Sequence, residues 1–130
     1  MRFLLDTHIL IWAAGDIALL PKTIRPLIEE TGNELLFSPA SIWETAIKHG
    51  TGRGGFQADP FVLRYRLLEN GYVELPINSE HAIAIAGLPL IHKDPFDRIL
   101  IAQAIIEGVP LITVDQAVLQ YPGLPKYPLG

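Results

Sequence analysis

The sequence predicts an α/β fold: a three-layer α/β/α sandwich around a central parallel sheet of four to five short strands. Three observations lead there. Short apolar runs at 2–5, 34–37 and 111–114 alternate with longer stretches of helical character. These runs are apolar throughout rather than alternating with polar residues, as strands covered on both faces are. The junctions also carry helix-start chemistry, with Ser38-Pro39 and Asp94-Pro95 each placing a capping side chain before a proline at the first helical position.

Each element follows in order. Residues 2–5 read as a buried strand and 7–14 as a helix. A second helix is predicted over Thr23 to Thr31, with Lys22 or Thr23 near its start and Gly32 just beyond its end. Glu34 to Phe37 is a strand, and "SPASIWETAIKHG" follows as a helix stopped by Gly50. "TGRGG" at 51–55 is a flexible loop. Pro60 to Glu69 forms a helix closed by Asn70-Gly71, and Val73 to Leu75 forms a strand. Asn78 or Ser79 caps a short helix through Ala86. "DPFDRILIAQAIIEG" is the clearest helix, with Asp94 as N-cap, Pro95 at N1, Asp97 at N3 and Gly108 at the stop. Leu111 to Val114 is the last buried strand, and a short helix occupies 115–120. The Pro-rich tail is extended, with an edge strand near Lys126-Tyr127.

The length of 130 residues suits one domain, 1–130, with a single core. The apolar fraction of 49% is high for so small a chain, which leaves surface for a partner or a second copy. No run approaches the roughly 18 apolar residues that span a bilayer, so no membrane role is expected. Arg2 and the apolar residues after it imitate a signal peptide, but Asp6, His8 and Asp16 interrupt the run. The absence of cysteine excludes disulfides and thiolate chemistry and fits a cytoplasmic location. A net charge of −4 argues against a nucleic-acid partner unless acids converge on metal, since two divalent ions would add four positive charges.

That convergence is what the topology predicts. In a parallel sheet, binding groups gather beyond the carboxyl ends of the strands. Asp6 follows the first strand and Asp115 ends "LITVD" after the last. Glu44 lies in the first two turns of the helix leaving strand 34–37, and Asp94 and Asp97 begin a helix running back toward strand 111–114. Each acid also has a plainer role. Asp6, Asp94 and Asp115 suit N-caps, Asp97 suits a capping box, and Glu44 can pair with Lys48 at i+4. Capping explains each acid singly but not five at one edge, where they would repel and raise one another's pKa. A hard divalent cation removes that cost, and all-oxygen ligation suits Mg²⁺ or Mn²⁺ rather than zinc. His8, His49, His81 and His92 are scattered, without zinc spacing, and read as structural or surface groups. Other chemistries find no support. "DTH" lacks the second aspartate of a haloacid-dehalogenase-type phosphatase, and no phosphate-binding glycine loop follows a strand. No GxSxG elbow is present either.

Four segments, "LLDTHILIW", "SPASIWETAIK", "DPFDRILIAQA" and "LITVD", resemble PIN-domain ribonucleases, and more narrowly the VapC-type toxins of toxin–antitoxin pairs. The resemblance covers essentially the whole chain in the right order. It implies a small nuclease that hydrolyses RNA with Mg²⁺ or Mn²⁺, forms a homodimer and is held inactive by a cognate antitoxin. By the same resemblance Asp6, Glu44, Asp97 and Asp115 match the four family acids. Asp94 accompanies the third, and Thr7 and Thr113 match hydroxyl positions lining such sites. In this reading Asp6 and Asp97 ligate the metal, Asp115 completes or water-bridges its sphere, and Glu44 aligns or deprotonates the attacking water. Lys48, Arg53, Lys93 and Arg98 are candidate phosphate contacts, although Lys48 and Arg98 serve equally as surface ion-pair partners.

Two further readings stay open at this stage. One is a non-catalytic binding module whose acidic edge receives a basic segment of a partner. The other is a DNA nuclease, because a metal site of this kind does not choose the sugar. The RNA target is not legible. Helices 23–31, 39–49 and 60–69 carry surplus apolar residues suited to dimer and antitoxin surfaces.

Overall fold

The computed structural model describes residues 1–51 and 58–127, with the backbone alone at Thr51. Four strands, β1 (Arg2–Leu5), β2 (Glu34–Phe37), β3 (Val73–Glu74) and β4 (Leu111–Ile112), form one sheet in the order β3-β2-β1-β4. All three pairings are parallel, with Phe3 beside Leu35, Leu5 beside Ile112 and Leu36 beside Val73. The helices described here are α1 (Thr7–Ala14), α2 (Arg25–Glu29), α3 (Pro39–Thr51), α4 (Pro60–Glu69), α5 (Ser79–Ala84), α6 (Pro95–Glu107) and α7 (Gln116–Leu119).

Strand periodicity sorts the core into two layers. Phe3, Leu5, Leu35 and Phe37 point to one face and pack with Ile9 and Leu10 of α1, Leu27 of α2, and Leu63 and Leu67 of α4. Leu4, Leu36 and Leu111 point to the other and pack with Leu100, Ile101 and Ala104 of α6 and with Val118 of α7. Both layers are fully buried, which is why the strands are apolar at every inner position.

Several expected boundaries move. The second helix spans only Arg25–Glu29 rather than 23–31. Pro26 has no N–H to offer the turn before it and disfavours earlier helical geometry, so it fits only in the first turn. A short 3-10 turn at Ile17–Leu19, with Asp16 accepting from Ala18 N at 3.2 Å, was not foreseen. The third helix passes Gly50 and runs to Thr51. The helix from Ser79 ends at Ala84 and tightens into a 3-10 turn at Ile85–Gly87. The last strand stops at Ile112 instead of Val114, because Thr113 turns its hydroxyl to Asp6 and takes the Asp115 N–H on that same oxygen, away from the ladder. The tail makes no strand among the described residues. Its one backbone bond to the sheet is Leu111 N to Pro125 O at 3.4 Å, and Pro122 and Pro125 lack the N–H groups that a ladder needs.

Candidate active site

With all strands parallel, their carboxyl ends share one edge, and the acids gather there. Asp6 leaves β1 with extended geometry (φ −74°, ψ 169°) and caps α1, its Oδ1 accepting from Ile9 N at 3.1 Å. Its other oxygen, Oδ2, accepts from the Thr113 hydroxyl. Thr113 Oγ1 also accepts from Asp115 N at 3.0 Å, so one hydroxyl ties the ends of adjacent strands β1 and β4. Asp115 in turn caps α7 through Oδ1, which accepts from Ala117 N at 2.9 Å. Asp94 Oδ1 caps α6 at Phe96 N, 2.8 Å, and Asp97 sits in the first turn of that helix. Capping and convergence on the site are thus compatible. The bond to the helix fixes the side-chain rotamer and leaves lone pairs for another partner.

Glu44, in the second turn of α3, is buried. Lys48 Nζ donates to its Oε2 at 2.6 Å, the i+4 pair expected from sequence. Its Oε1 is buried without a hydrogen-bond partner among the described residues. A cleft of about 430 Å³ runs past Asp6, Glu44, Lys48, His92, Asp97 and Asp115, with Asp94, Thr7 and His8 also on its wall. Among the other proposed cation contacts, Lys93 is exposed outside this lining, and Arg53 lies outside the described residues.

Arg98 is not on the cleft lining and is engaged by the chain itself, with Nη1 donating to Pro89 O at 2.9 Å and to the Tyr121 hydroxyl at 3.2 Å. Nη2 donates to Ile85 O at 3.2 Å and to Leu88 O at 3.4 Å. Five rigid donors suit this side chain to gathering carbonyls, and here they shape the stretch before α6.

The histidines divide in a way the sequence did not suggest. His81 is fully buried, boxed with Asn78 and bonded to Glu107 at 2.9 Å, and His49 lies 3.9 Å from Asp59 in an exposed pair. His92, by contrast, stands among the acids, with Nε2 3.0 Å from Asp97 Oδ2 and 3.2 Å from Asp115 Oδ2. His8 also reaches the cleft wall. The available signal for His92 was its place two residues before the N-cap of α6, which brings it to the same helix start.

Burial pushes the Asp6 carboxyl above its ordinary range, against the pull of the Thr113 hydroxyl and the Ile9 N–H. Asp97 is pushed up to about 7, first by burial and then by the neighbouring Asp94 carboxylate, with His92 pulling the other way and Glu44 and Asp6 adding to the rise. Crowded acids of this kind lack positive charge. The residues present fit a hard divalent ion: Asp6, Asp97 and Asp115 offer carboxylate oxygens on one cleft, and such ions take oxygen ligands.

Residues 3–124 match the family described as PIN domain. No curated protein matches the sequence. Among solved structures, the chain is similar to a chain of DNA-bound VapBC from Salmonella typhimurium, with a TM-score of 0.70 at 17% identity over 100% of this chain and 99% of that one. It is similar to a chain of VapBC2 from Rickettsia felis bound to a promoter DNA fragment (0.67, 14%, 98% of each). VapBC-1 from nontypeable Haemophilus influenzae is also similar (0.61, 21%, 92% and 91%). At these identities the structures speak for the fold, and the match across almost the whole sequence places the chain in the PIN-domain family.

Proposed function

We propose that this chain is a Mg²⁺- or Mn²⁺-dependent endoribonuclease, acting as the VapC-type toxin of a toxin–antitoxin pair. The observation that carries the reading is the meeting of Asp6, Glu44, Asp97 and Asp115, from four separate elements, on one cleft with an unpartnered buried carboxylate oxygen. PIN domains are generally nucleases, and the similar structures are VapBC assemblies.

A bound divalent ion supplies Lewis-acid chemistry, acidifying water and offsetting the charge that develops on a phosphodiester under in-line attack. Asp6 and Asp97 hold it, and Asp115 completes the set directly or through water. Glu44 acts as base through Oε1, because Lys48 already occupies Oε2. The water oxygen bonds to phosphorus as its proton passes to Glu44; the bond from phosphorus to the 3′ oxygen breaks, and that oxygen leaves with the electron pair and takes a proton from solvent. Rigid caps on Asp6 and Asp115 keep the acids in place during that exchange.

The partners follow from surface chemistry. Ile47, Phe61, Tyr65 and Leu68 are exposed along α3 and α4, an apolar area suited to a homodimer contact and to a cognate antitoxin. The short α2 adds little to it, since Leu27 is buried. Among the described residues no helix is long and apolar enough to cross a membrane.

The Lys48–Glu44 pair favours a second reading, in which the acidic edge receives basic side chains of a partner without catalysis. One experiment separates them. The purified chain is incubated with total RNA and with single-stranded DNA, in Mn²⁺ and in EDTA. RNA cleavage abolished by EDTA supports the ribonuclease. Cleavage of DNA alone redirects the reading to a DNA nuclease, and no cleavage of either supports the binding module.

A further inference from the structure

Resting on the metal-dependent reading above, we propose that His92 is a positioning residue of the metal site, holding the Asp115 carboxylate through its Nε2–H and packing against Asp97 at the same nitrogen, from outside the coordination sphere. Its Nε2 lies 3.0 Å from Asp97 Oδ2 and 3.2 Å from Asp115 Oδ2. The other ring nitrogen fixes where the proton sits. Nδ1 accepts from the Asp94 backbone N–H at 3.1 Å. A nitrogen that accepts carries no proton, so the neutral ring keeps its hydrogen on Nε2, where it donates to Asp115 Oδ2, with Asp97 Oδ2 in contact beside it.

The same bond separates His92 from a direct ligand. Its Nε2 and one oxygen from each of Asp97 and Asp115 lie within 4.8 Å of one another, close enough to suggest a three-residue metal cluster. Coordination through Nε2 requires its lone pair, which sends the proton to Nδ1. There it would point at the Asp94 N–H, donor against donor. The ring is therefore arranged to give a hydrogen bond rather than to take a cation.

Its root is fixed as firmly as its tip. His92 N donates to the Tyr121 hydroxyl at 2.8 Å, and that hydroxyl donates back to His92 O at 3.2 Å. Arg98 Nη1 reaches the same carbonyl at 3.4 Å, and Tyr121 itself is buried. A donor tied at both of its peptide groups holds its acceptors in register, which is what an outer partner of metal ligands does.

The oxygens left over agree with this division. Asp115 Oδ1 accepts from Ala117 and Val118 N–H, and its Oδ2 faces His92. Asp97 Oδ2 touches the same nitrogen at 3.0 Å. His92 thus steadies Asp115 and sets how close Asp97 stands to it.

The test uses the full chain without RNA. Nitrogen NMR of the His92 ring is recorded with and without Mg²⁺, and Mn²⁺ affinity is titrated by EPR for the wild type, His92→Ala and His92→Gln. The expected result is an Nε2–H ring in both NMR states. Loss of the donor in His92→Ala weakens Mn²⁺ binding by about 10–100-fold. His92→Gln, whose amide N–H reaches toward the same oxygens, recovers affinity to within a few-fold of wild type. A proton that moves to Nδ1 when Mg²⁺ is added makes His92 a ligand and overturns the proposal. So does wild-type affinity in His92→Ala, or an equal loss in both variants. Because the NMR arm uses the unaltered chain, it decides even where a variant fails to fold. A wild type that takes up no Mn²⁺ defeats the metal reading itself, and the positioning role with it.

Discussion

On one wall of the cleft, Asp6 and Asp115 leave the ends of neighbouring parallel strands, each capping the helix that follows, with the Thr113 hydroxyl between them. On the other wall, His92 sits in a stretch, 88–94, that contains neither helix nor strand. That stretch takes its shape from the Arg98 guanidinium and the Tyr121 hydroxyl. The strand-end wall borrows its rigidity from the sheet, which is bonded whether or not any one acid is present. The loop wall has no such reserve, so two side chains carry its geometry. Substitutions on the first wall should therefore remove chemistry and spare the fold, whereas those on the second should loosen both.

The largest expected effect tests the strand-end wall. Asp6→Asn keeps the shape of the side chain and a capping oxygen but removes the charge that holds a divalent ion. Mn²⁺-dependent RNA cleavage should fall by about 1000-fold or more, which corresponds to roughly 4 kcal/mol of lost transition-state stabilisation. The melting temperature should hold or rise, since a buried carboxylate crowded by Glu44 has been neutralised. Full activity in this variant would remove Asp6 from the site, and an unfolded variant would erase the distinction between the walls.

Arg98→Ala tests the loop wall and reverses the pattern. It strips donors from four carbonyls; Ile85 O keeps the Leu88 N–H and His92 O keeps the Tyr121 hydroxyl, while those of Leu88 and Pro89 are left to find water or go unpaired. At about 1 kcal/mol for a typical bond, the loss should reach roughly 2–4 kcal/mol in urea denaturation. Cleavage should decline as well, through His92, with a higher Mn²⁺ concentration needed for half-maximal rate. A phosphate-contacting Arg98 would instead lose RNA affinity with stability unchanged.

The difference between the walls also explains what could be read in advance. Asp6, Asp94 and Asp115 were legible because each follows an apolar strand or precedes Pro95, and caps are local to two or three residues. Glu44 followed from its helix leaving β2. The two layers of the sheet followed from strands with no polar inner position. His92 was not legible, since the carboxylates beside it lie five and 23 residues away and its anchor at Tyr121 is 29 residues away. The structural task of Arg98 was hidden for a related reason. A cation beside an acidic motif suggests phosphate, and only the folded path of residues 85–92 shows carbonyls converging on it. The retreat of β4 to Leu111–Ile112 has the same origin, a hydroxyl that leaves the strand for a side chain 107 residues away.

A pH experiment compares the walls without mutation. Asp97, which joins the two, is pushed up to about 7 from an ordinary 3.8. Between about pH 4 and 7 the folded chain holds a proton that the unfolded chain has released. Stability of the metal-free protein should therefore fall as pH rises across that window, and level off above it. A divalent ion offsets the exposed charge, so the rise in melting temperature on adding Mn²⁺ should be larger at pH 8 than at pH 5.5, where the ion must displace the proton. Asp97→Asn should flatten the metal-free profile. An equal Mn²⁺ effect at both pH values would place the ion elsewhere.

The smallest expected effect lies at the solvent edge of the loop wall. Lys93 stands between His92 and Asp94, exposed and outside the cleft lining. Any phosphate contact it makes is therefore screened and long-range, worth a charge rather than a geometry. Lys93→Ala should leave melting temperature unchanged and weaken RNA binding, measured in EDTA to prevent cleavage, by only a few-fold. The salt dependence is the sharper measure, because each neutralised phosphate on a single strand adds about 0.7 to the slope of log affinity against log salt. A slope reduced by about that amount makes Lys93 part of the RNA path. An unchanged slope confines the loop wall to its structural task, which is to hold His92 against the acids, and leaves the capture of RNA to other cations.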